Sequence, residues 1–226
     1  MVLLFGVIPP LLLLAYVWRI DRVESEPVGL VFKVLLFGGL STIVAVLFET
    51  VGDIVLGLFG IPENTYLYAF LDCFIVVAIS EELVKRWAMM KAVWRRPEFN
   101  YFFDAILYSV AAALGFALIE NVEYIALFGG EVALGRLIPV HTICGVFMGY
   151  FLGMAKMCEI HGNLSGRQTY MVMSMLIPVL IHGFWDFALT TGSDLLTVLA
   201  LLMVLCLTIY AFVMVHKRAK ADHPLW

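Results

Sequence analysis

The stretch AISEELVKRW, residues 78–87, places two adjacent glutamates and a lysine inside a segment otherwise suited to lipid. A charged side chain at the centre of a membrane helix costs roughly 2.5–3.5 kcal/mol on insertion scales. Glu81, Glu82 and Lys85 therefore call for a reason. The surrounding sequence supplies the setting. The chain has 226 residues, of which 63% are hydrophobic and 14% charged, and its mean hydropathy is +0.99. Soluble domains are about 45–50% apolar and about 25% charged. An apolar excess spread over the whole length means a polytopic membrane protein. No polar stretch is long enough for a separate soluble unit, so residues 1–226 are read as one membrane domain, with its core motifs in 66–190.

Windows of about 20 apolar residues place seven spans, at 2–18, 29–50, 66–90, 102–128, 132–157, 169–190 and 194–215. The expected fold class is an all-α bundle of about seven transmembrane helices. Polar loops such as KAVWRRPEFN connect them, and GDIVLGLFGIPENT carries Gly, Pro and Asn turn signals. Pro9-Pro10 interrupts the first span, which lacks the positive leader and small-residue cleavage site of a secretory signal. With the N-terminus outside and the C-terminus inside, thirteen of the fourteen Lys and Arg residues fall on or near the cytoplasmic side, and only Arg136 falls outside. The net charge of −4 adds little to that asymmetry. Cys73, Cys144, Cys158 and Cys206 form no CxxC pair and read as ordinary buried thiols.

The spans also contain Glu120, Asn121, His141, His182 and Asp186. These groups could meet in one layer if the third to sixth spans pack together. Lys85 is i+4 from Glu81 and i+3 from Glu82, so it can face either acid. The two glutamates project about 100° apart, so one can enter a site while the other pairs with Lys85. His182 and Asp186, in HGFWD, are i,i+4, and the aspartate can accept a ring N–H and fix the tautomer. His141, Gly145, Gly149 and Gly153 recur every four residues, a strip that lets a neighbouring helix come close. Phe116 and Glu120 are likewise i,i+4, after the small-residue run AAALG. Taken singly, Asn121, Asp186 or Lys85 reads better as a helix–helix partner than as a catalyst. Asp104 could cap the fourth span, and Glu49 and Asp53 are expected at the outer interface. Together, carboxylates and imidazoles on four consecutive helices suit water activation, by a general base or with a divalent metal such as zinc. HExxH and CxxC are absent, so no zincin signature supports the metal.

In order along the chain, Glu81-Glu82-Leu83-Val84-Lys85, Phe116-Ala117-Leu118-Ile119-Glu120-Asn121, His141 ahead of its glycine strip, and His182-Gly183-Phe184-Trp185-Asp186 resemble the PrsW family of intramembrane proteases, part of a wider group with the prenyl-protein CAAX proteases. The Glu-Pro turn in DRVESEPVGLVFKVLLFGG and the segment FDAILYSVAAALGFALIENVEY extend the likeness from about residue 10 to residue 190. The resemblance implies an intramembrane endopeptidase in a bacterial or archaeal cell membrane. Its implied partners are the lipid bilayer and a membrane protein substrate, characteristically a single-span anti-sigma factor whose first cut, on the outer side, leads to release of a sigma factor. Nucleic acid is not an expected partner. Carried over by motif, Glu81, Glu82 and His182 come first as catalytic residues. His141 and Glu120 complete the site, and Lys85, Phe116, Asn121 and Asp186 support it. Glu120, His141 and His182 are the set that could hold a metal, and the likeness leaves the glutamic or metallo type open. Two other classes stand beside this one: a proton- or ion-coupled carrier using the same acids as a relay, and a non-catalytic membrane binding or immunity protein.

Overall fold

The structure is a computed structural model that describes residues 3–21, 23–129 and 135–226. The helices are α1 (Leu3–Ile20), α2 (Val28–Leu58), α3 (Tyr66–Phe70), α4 (Ile79–Val93), α5 (Phe102–Phe128), α6 (Val140–Ile160), α7 (Leu164–Thr190) and α8 (Asp194–Lys220). A π-helical stretch, Leu71–Ala78, joins α3 to α4, so the third pass is one rod with wide turns in its middle. Among the described residues, five helices are long and apolar enough to cross a membrane by themselves: α2, α5, α6, α7 and α8. With α1 and the α3–α4 rod, the chain makes seven passes of an all-α bundle.

The structure corrects several expected boundaries. Helix α1 continues through Pro9-Pro10. Helix α2 absorbs half of the expected loop, because GDIVLGL stays apolar enough to remain helical. It ends only where Gly60 takes a positive φ of 64°, the conformation that terminates helices. The fifth pass begins at Val140, after a 3₁₀ turn at Gly135–Leu137; residues 132–134 of the expected span lie outside the described residues. Asp104 does cap α5: its Oδ2 accepts from the backbone N–H of Asn100 and Tyr101, at 2.9 and 2.6 Å. All four cysteines are free, but only Cys73 and Cys144 are buried.

Helix α5 is the axis of the bundle, with every residue from Phe102 to Ala117 buried. An all-round apolar helix needs partners on every side, and small residues let them approach. A Cβ at Gly38 of α2 would lie 2.1 Å from the Ala112 carbonyl oxygen, and one at Gly115 would lie 1.9 Å from that of Leu35. On the opposite side, Gly145 and Gly149 of α6 lie against Ser109–Ala113 and Ala105–Ile106, and Gly153 meets Phe102. In lipid there is no hydrophobic drive between helices, so such backbone contact is a main source of association. The other face of α2, with Phe32, Leu36, Leu40, Ile43 and Leu47, is exposed to whatever surrounds the bundle, as lipid-facing positions must be.

Gly115→Leu should drive α2 from α5 and lower stability by at least the 1–3 kcal/mol typical of overpacking. Gly57→Ala, where an added Cβ meets nothing within 4 Å, should be neutral or stabilising by up to about 1 kcal/mol. Thermal melts of the detergent-purified variants separate the two outcomes.

Candidate active site

Helix α4 leaves the π-helical stretch carrying Glu81, Glu82 and Lys85 inward, all three buried. Lys85 and Glu82 have no exposed surface. The Lys85 ammonium donates to Glu81 Oε2 at 2.8 Å, to Glu82 Oε1 at 2.9 Å and to His141 Nδ1 at 3.0 Å. It also sits 4.2 Å from the centroid of the Phe116 ring. An ammonium has three N–H donors, and all three are used. Both acids on its own helix therefore share it, where spacing alone left either one open.

His141, at the start of α6, accepts from Lys85 through Nδ1, so its proton belongs on Nε2, 2.7 Å from Glu120 Oε2 of α5. His182, on α7, faces Glu82 Oε1 at 2.9 Å through Nδ1, and through Nε2 faces Asp186 Oδ2 at 3.2 Å and Glu81 Oε2 at 3.8 Å. The two imidazoles meet edge to face, 5.2 Å apart. Glycine sets these distances. The glycine strip of α6 presses it onto α5, and a Cβ at Gly183 would lie 2.5 Å from the Phe74 ring in the π-helical stretch. Arg86 fastens α7 to α4 from the other side, donating to the Met171 carbonyl at 2.8 Å.

Thus Glu81, Glu82, Lys85, Phe116, Glu120, His141, His182 and Asp186 form one connected cluster. Asn121 stands apart from the chain of charges. Its amide donates to the Gly6 carbonyl at 3.0 Å and ties α1 to α5, while its side lines the adjoining cavity. That cavity, about 520 Å³, is walled by α1 at Pro9 and Pro10, by the Gly135–Leu137 turn, by α5 and by α7. Glu81, Glu120, His141, His182 and Asp186 reach it, whereas Glu82 does not.

Three groups escaped the sequence reading. Glu49 shares a face of α2 with Ala45, which packs on Val84 and Phe116, and with Gly52, which lies against Val76. It is half-buried and lies within the electrostatic reach of Glu81, Glu120, Lys85 and His182, beside the cluster. The signal was available: Gly38, Ala45 and Gly52 form a small-residue stripe at helical spacing, and Glu49 lies on it. Asp72 and Cys73 line the cavity from the π-helical stretch, and the Cys73 thiol contacts Thr190 Oγ1 at 3.7 Å.

Glu81, Glu82, His141 and His182 each bring one potential donor atom within 4.8 Å of all the others, the one such group found among the described residues. Two carboxylates and two imidazoles are donors that zinc accepts. Glu82 Oε2 is buried without a hydrogen-bond partner, so the cluster retains an unused donor for a cation. The donor set fits a divalent metal.

Residues 26–215 match the model of the family described as PrsW family intramembrane metalloprotease. The chain is 31% identical over 203 residues to Protease PrsW of Oceanobacillus iheyensis, with 88% of each chain covered. It is 33% identical to Protease PrsW of Halalkalibacterium halodurans, with 83% of each covered, and 34% identical to Protease PrsW of Geobacillus kaustophilus, with 81% of this chain and 77% of that one covered. No solved structure matches. With a helical membrane bundle, a buried Glu/His cluster beside a cavity, and a family match over most of its length, the chain belongs to the PrsW family of intramembrane proteases.

Proposed function

We propose that Glu81 is the general base of this intramembrane peptidase and that Glu82 holds the machinery behind it. The observation that carries this reading is the division of the pair by the cavity: Glu81 lines it, and Glu82 is enclosed. Water in the cavity reaches Glu81 without reaching Glu82. Glu81 takes a proton from that water as its oxygen attacks the scissile carbonyl carbon, and returns the proton to the leaving nitrogen as the C–N bond breaks. His182 stands beside Glu81 at the cavity wall, held at Nδ1 by Glu82. Its Nε2 N–H rests on Asp186 and passes from that carboxylate to the oxygen that gains charge when substrate enters. Glu120 orients His141 in the same way. Lys85 has no donor left for substrate, so its part is to balance the two glutamates.

A catalytic metal keeps three protein ligands and one open position. Glu82, His141 and His182 would hold one here, with His141 Nδ1 given up by the Lys85 ammonium, and would leave Glu81 facing the cavity. When bound, the metal supplies Lewis-acid polarisation and lowers the pKa of water.

The cavity lies in the half of the bundle away from the basic loops, bounded by the start of α6 and the end of α7. With the orientation expected from the positive charges, it faces the outer leaflet. That supports the family-type substrate, a single-span anti-sigma factor cut on its outer side in the cell membrane.

Glu81→Gln should lower cleavage of a co-expressed, doubly tagged single-span substrate by about 10²–10⁴-fold while the protein still accumulates in membranes. Full cleavage by that variant would remove Glu81 as base. Stripping the purified protease with chelator should abolish cleavage, and zinc should restore it. An active preparation lacking stoichiometric divalent metal on elemental analysis would remove the metal but leave the Glu81 assignment standing.

Lys85→Met should destabilise the fold by about 3–5 kcal/mol, because it strands two buried carboxylates. Adding Glu82→Gln should recover part of the loss in the thermal midpoint.

A further inference from the structure

A second group of acids lies at the opposite end of the bundle, where the basic loops gather. It draws on the α1–α2 linker (Asp21, Glu26), the first turns of α5 (Asp104) and the chain after α8 (Asp222). Glu24 and Glu98 stand at its margin. The C-terminal segment is held there by backbone bonds, from Phe102 N–H to the His223 carbonyl and from Leu225 N–H to that of Asn100. Asp21 and Glu26 are each 3% exposed, and Asp104 is fully buried.

Part of this acidity is satisfied. Glu26 accepts from the Tyr108 hydroxyl, Asp104 Oδ2 accepts two backbone N–H groups, and Asp222 Oδ1 accepts those of Phe103 and His223. Both oxygens of Asp21 and Oδ2 of Asp222 are buried with no hydrogen-bond partner, while Asp104 and Glu26 share a side-chain hydrogen bond that needs a proton between them. The charges acting on Asp21 are Asp222, Glu26 and Glu24, all of its own sign. The basic groups nearby are committed elsewhere among the described residues. Arg218 is on the Tyr150 hydroxyl, Lys156 on the Trp94 carbonyl and Glu159, and Arg96 on the outer oxygen of Glu98. The His223 ring stands against Asp222, but the free oxygens of Asp21 have no counter-charge among the described residues, and a carboxylate so buried requires a cation or a proton.

We propose that this cluster binds a hydrated magnesium ion through Asp21 and Asp222, with Glu26 and Asp104 around it. The donors are all hard oxygens, which suit Mg²⁺ or Ca²⁺ and not the softer metals. They are not drawn together in threes as the catalytic donors are. Mg²⁺ keeps several waters and is held by one or two carboxylates, so an open arrangement favours it over a cation that needs a full protein cage. The ion would join the lower end of α1 to α5 and the C-terminal segment. Helix α1 is also the wall of the catalytic cavity at Pro9 and Pro10. The site therefore fixes the wall of a cavity whose chemistry it does not touch, and it stands whether or not Glu81 is the base.

The test is the thermal midpoint of the full-length, chelator-stripped protein in detergent at neutral pH, titrated with magnesium chloride at constant ionic strength. Saturation at about a hundred times Kd should raise the midpoint by roughly 5–10 °C. Asp21→Asn and, as an independent variant, Asp222→Asn should lose most of that rise, while Glu82→Gln in the catalytic cluster keeps it. No rise beyond a matched monovalent salt, or an equal rise in both cluster variants, overturns the proposal. A proton in place of the ion overturns it too and has its own signature. A carboxyl raised in the fold holds its proton longer there than in the unfolded chain, so stability then falls as pH rises from about 4 to about 7, with no response to magnesium.

Discussion

The ammonium of Lys85 is the group on which the rest of the site depends. It lies in the interior of a membrane bundle with no exposed surface, and it spends its three donors on Glu81, Glu82 and His141. Two adjacent carboxylates with no cation between them would repel each other at low dielectric and would draw in protons. With the ammonium between them they can stay as oxygens that accept. The third bond is the one that matters for assembly, because His141 belongs to α6. A salt bridge within one helix turn becomes a joint between two helices. From His141 the chain of contacts runs to Glu120 on α5, and from Glu82 to His182 and Asp186 on α7.

Such a network needs backbones that lie unusually close, and the sequence answers with glycine at the points of contact. Gly38 and Gly115 let α2 and α5 touch, Gly145 and Gly149 seat α6, and Gly183 admits α7 beside the π-helical stretch. The polar and apolar parts of the design are therefore one device. Close packing alone would give a bundle with no chemistry. The polar cluster alone would find no enclosure and would pull water into the bilayer.

How much of this could be read from the sequence follows from the range of the contacts. Glu81, Glu82 and Lys85 share one helix turn, as do His182 and Asp186, and the spacing rules of a helix carry that information directly. The glycine strip of α6 is a four-residue period, equally local, and it points His141 at a neighbour. The strip at Gly38, Ala45 and Gly52 obeys the same rule, but a carboxylate near the end of an apolar run reads as an interfacial residue, and that reading alone does not bring Glu49 to the cluster. The wide turns at Leu71–Ala78 have no local signature that we can identify. The division between Glu81 and Glu82 was out of reach in principle. It depends on which of two neighbours faces a cavity, and the cavity is made by Pro9, Gly135 and Trp185 from three other segments. The second acidic cluster was hidden for the same reason. Asp21, Asp104 and Asp222 are spread over the length of the chain, and each one alone is an ordinary loop or helix-cap residue.

The placement of the two clusters implies a division of labour along α1 and α5. One end of α5 carries Glu120 at the cavity beside the Glu/His cluster, and the other carries Asp104 in the acidic group. Helix α1 runs beside it, bound near its start by the Asn121–Gly6 contact and near its end by the bond from Trp18 to the Glu26 carbonyl. The two attachments differ in strength. Beside the cavity, among the described residues, Asn121 supplies a neutral hydrogen bond, worth about 1 kcal/mol, and Gly6 packs closely on Asn121 and Ile125. The contact at the far end is part of an interlocked set that includes buried acids, a tyrosine and the C-terminal segment. The cavity wall therefore takes its position from both ends of α5: from close packing beside Glu120 and from buried polar groups beside Asp104.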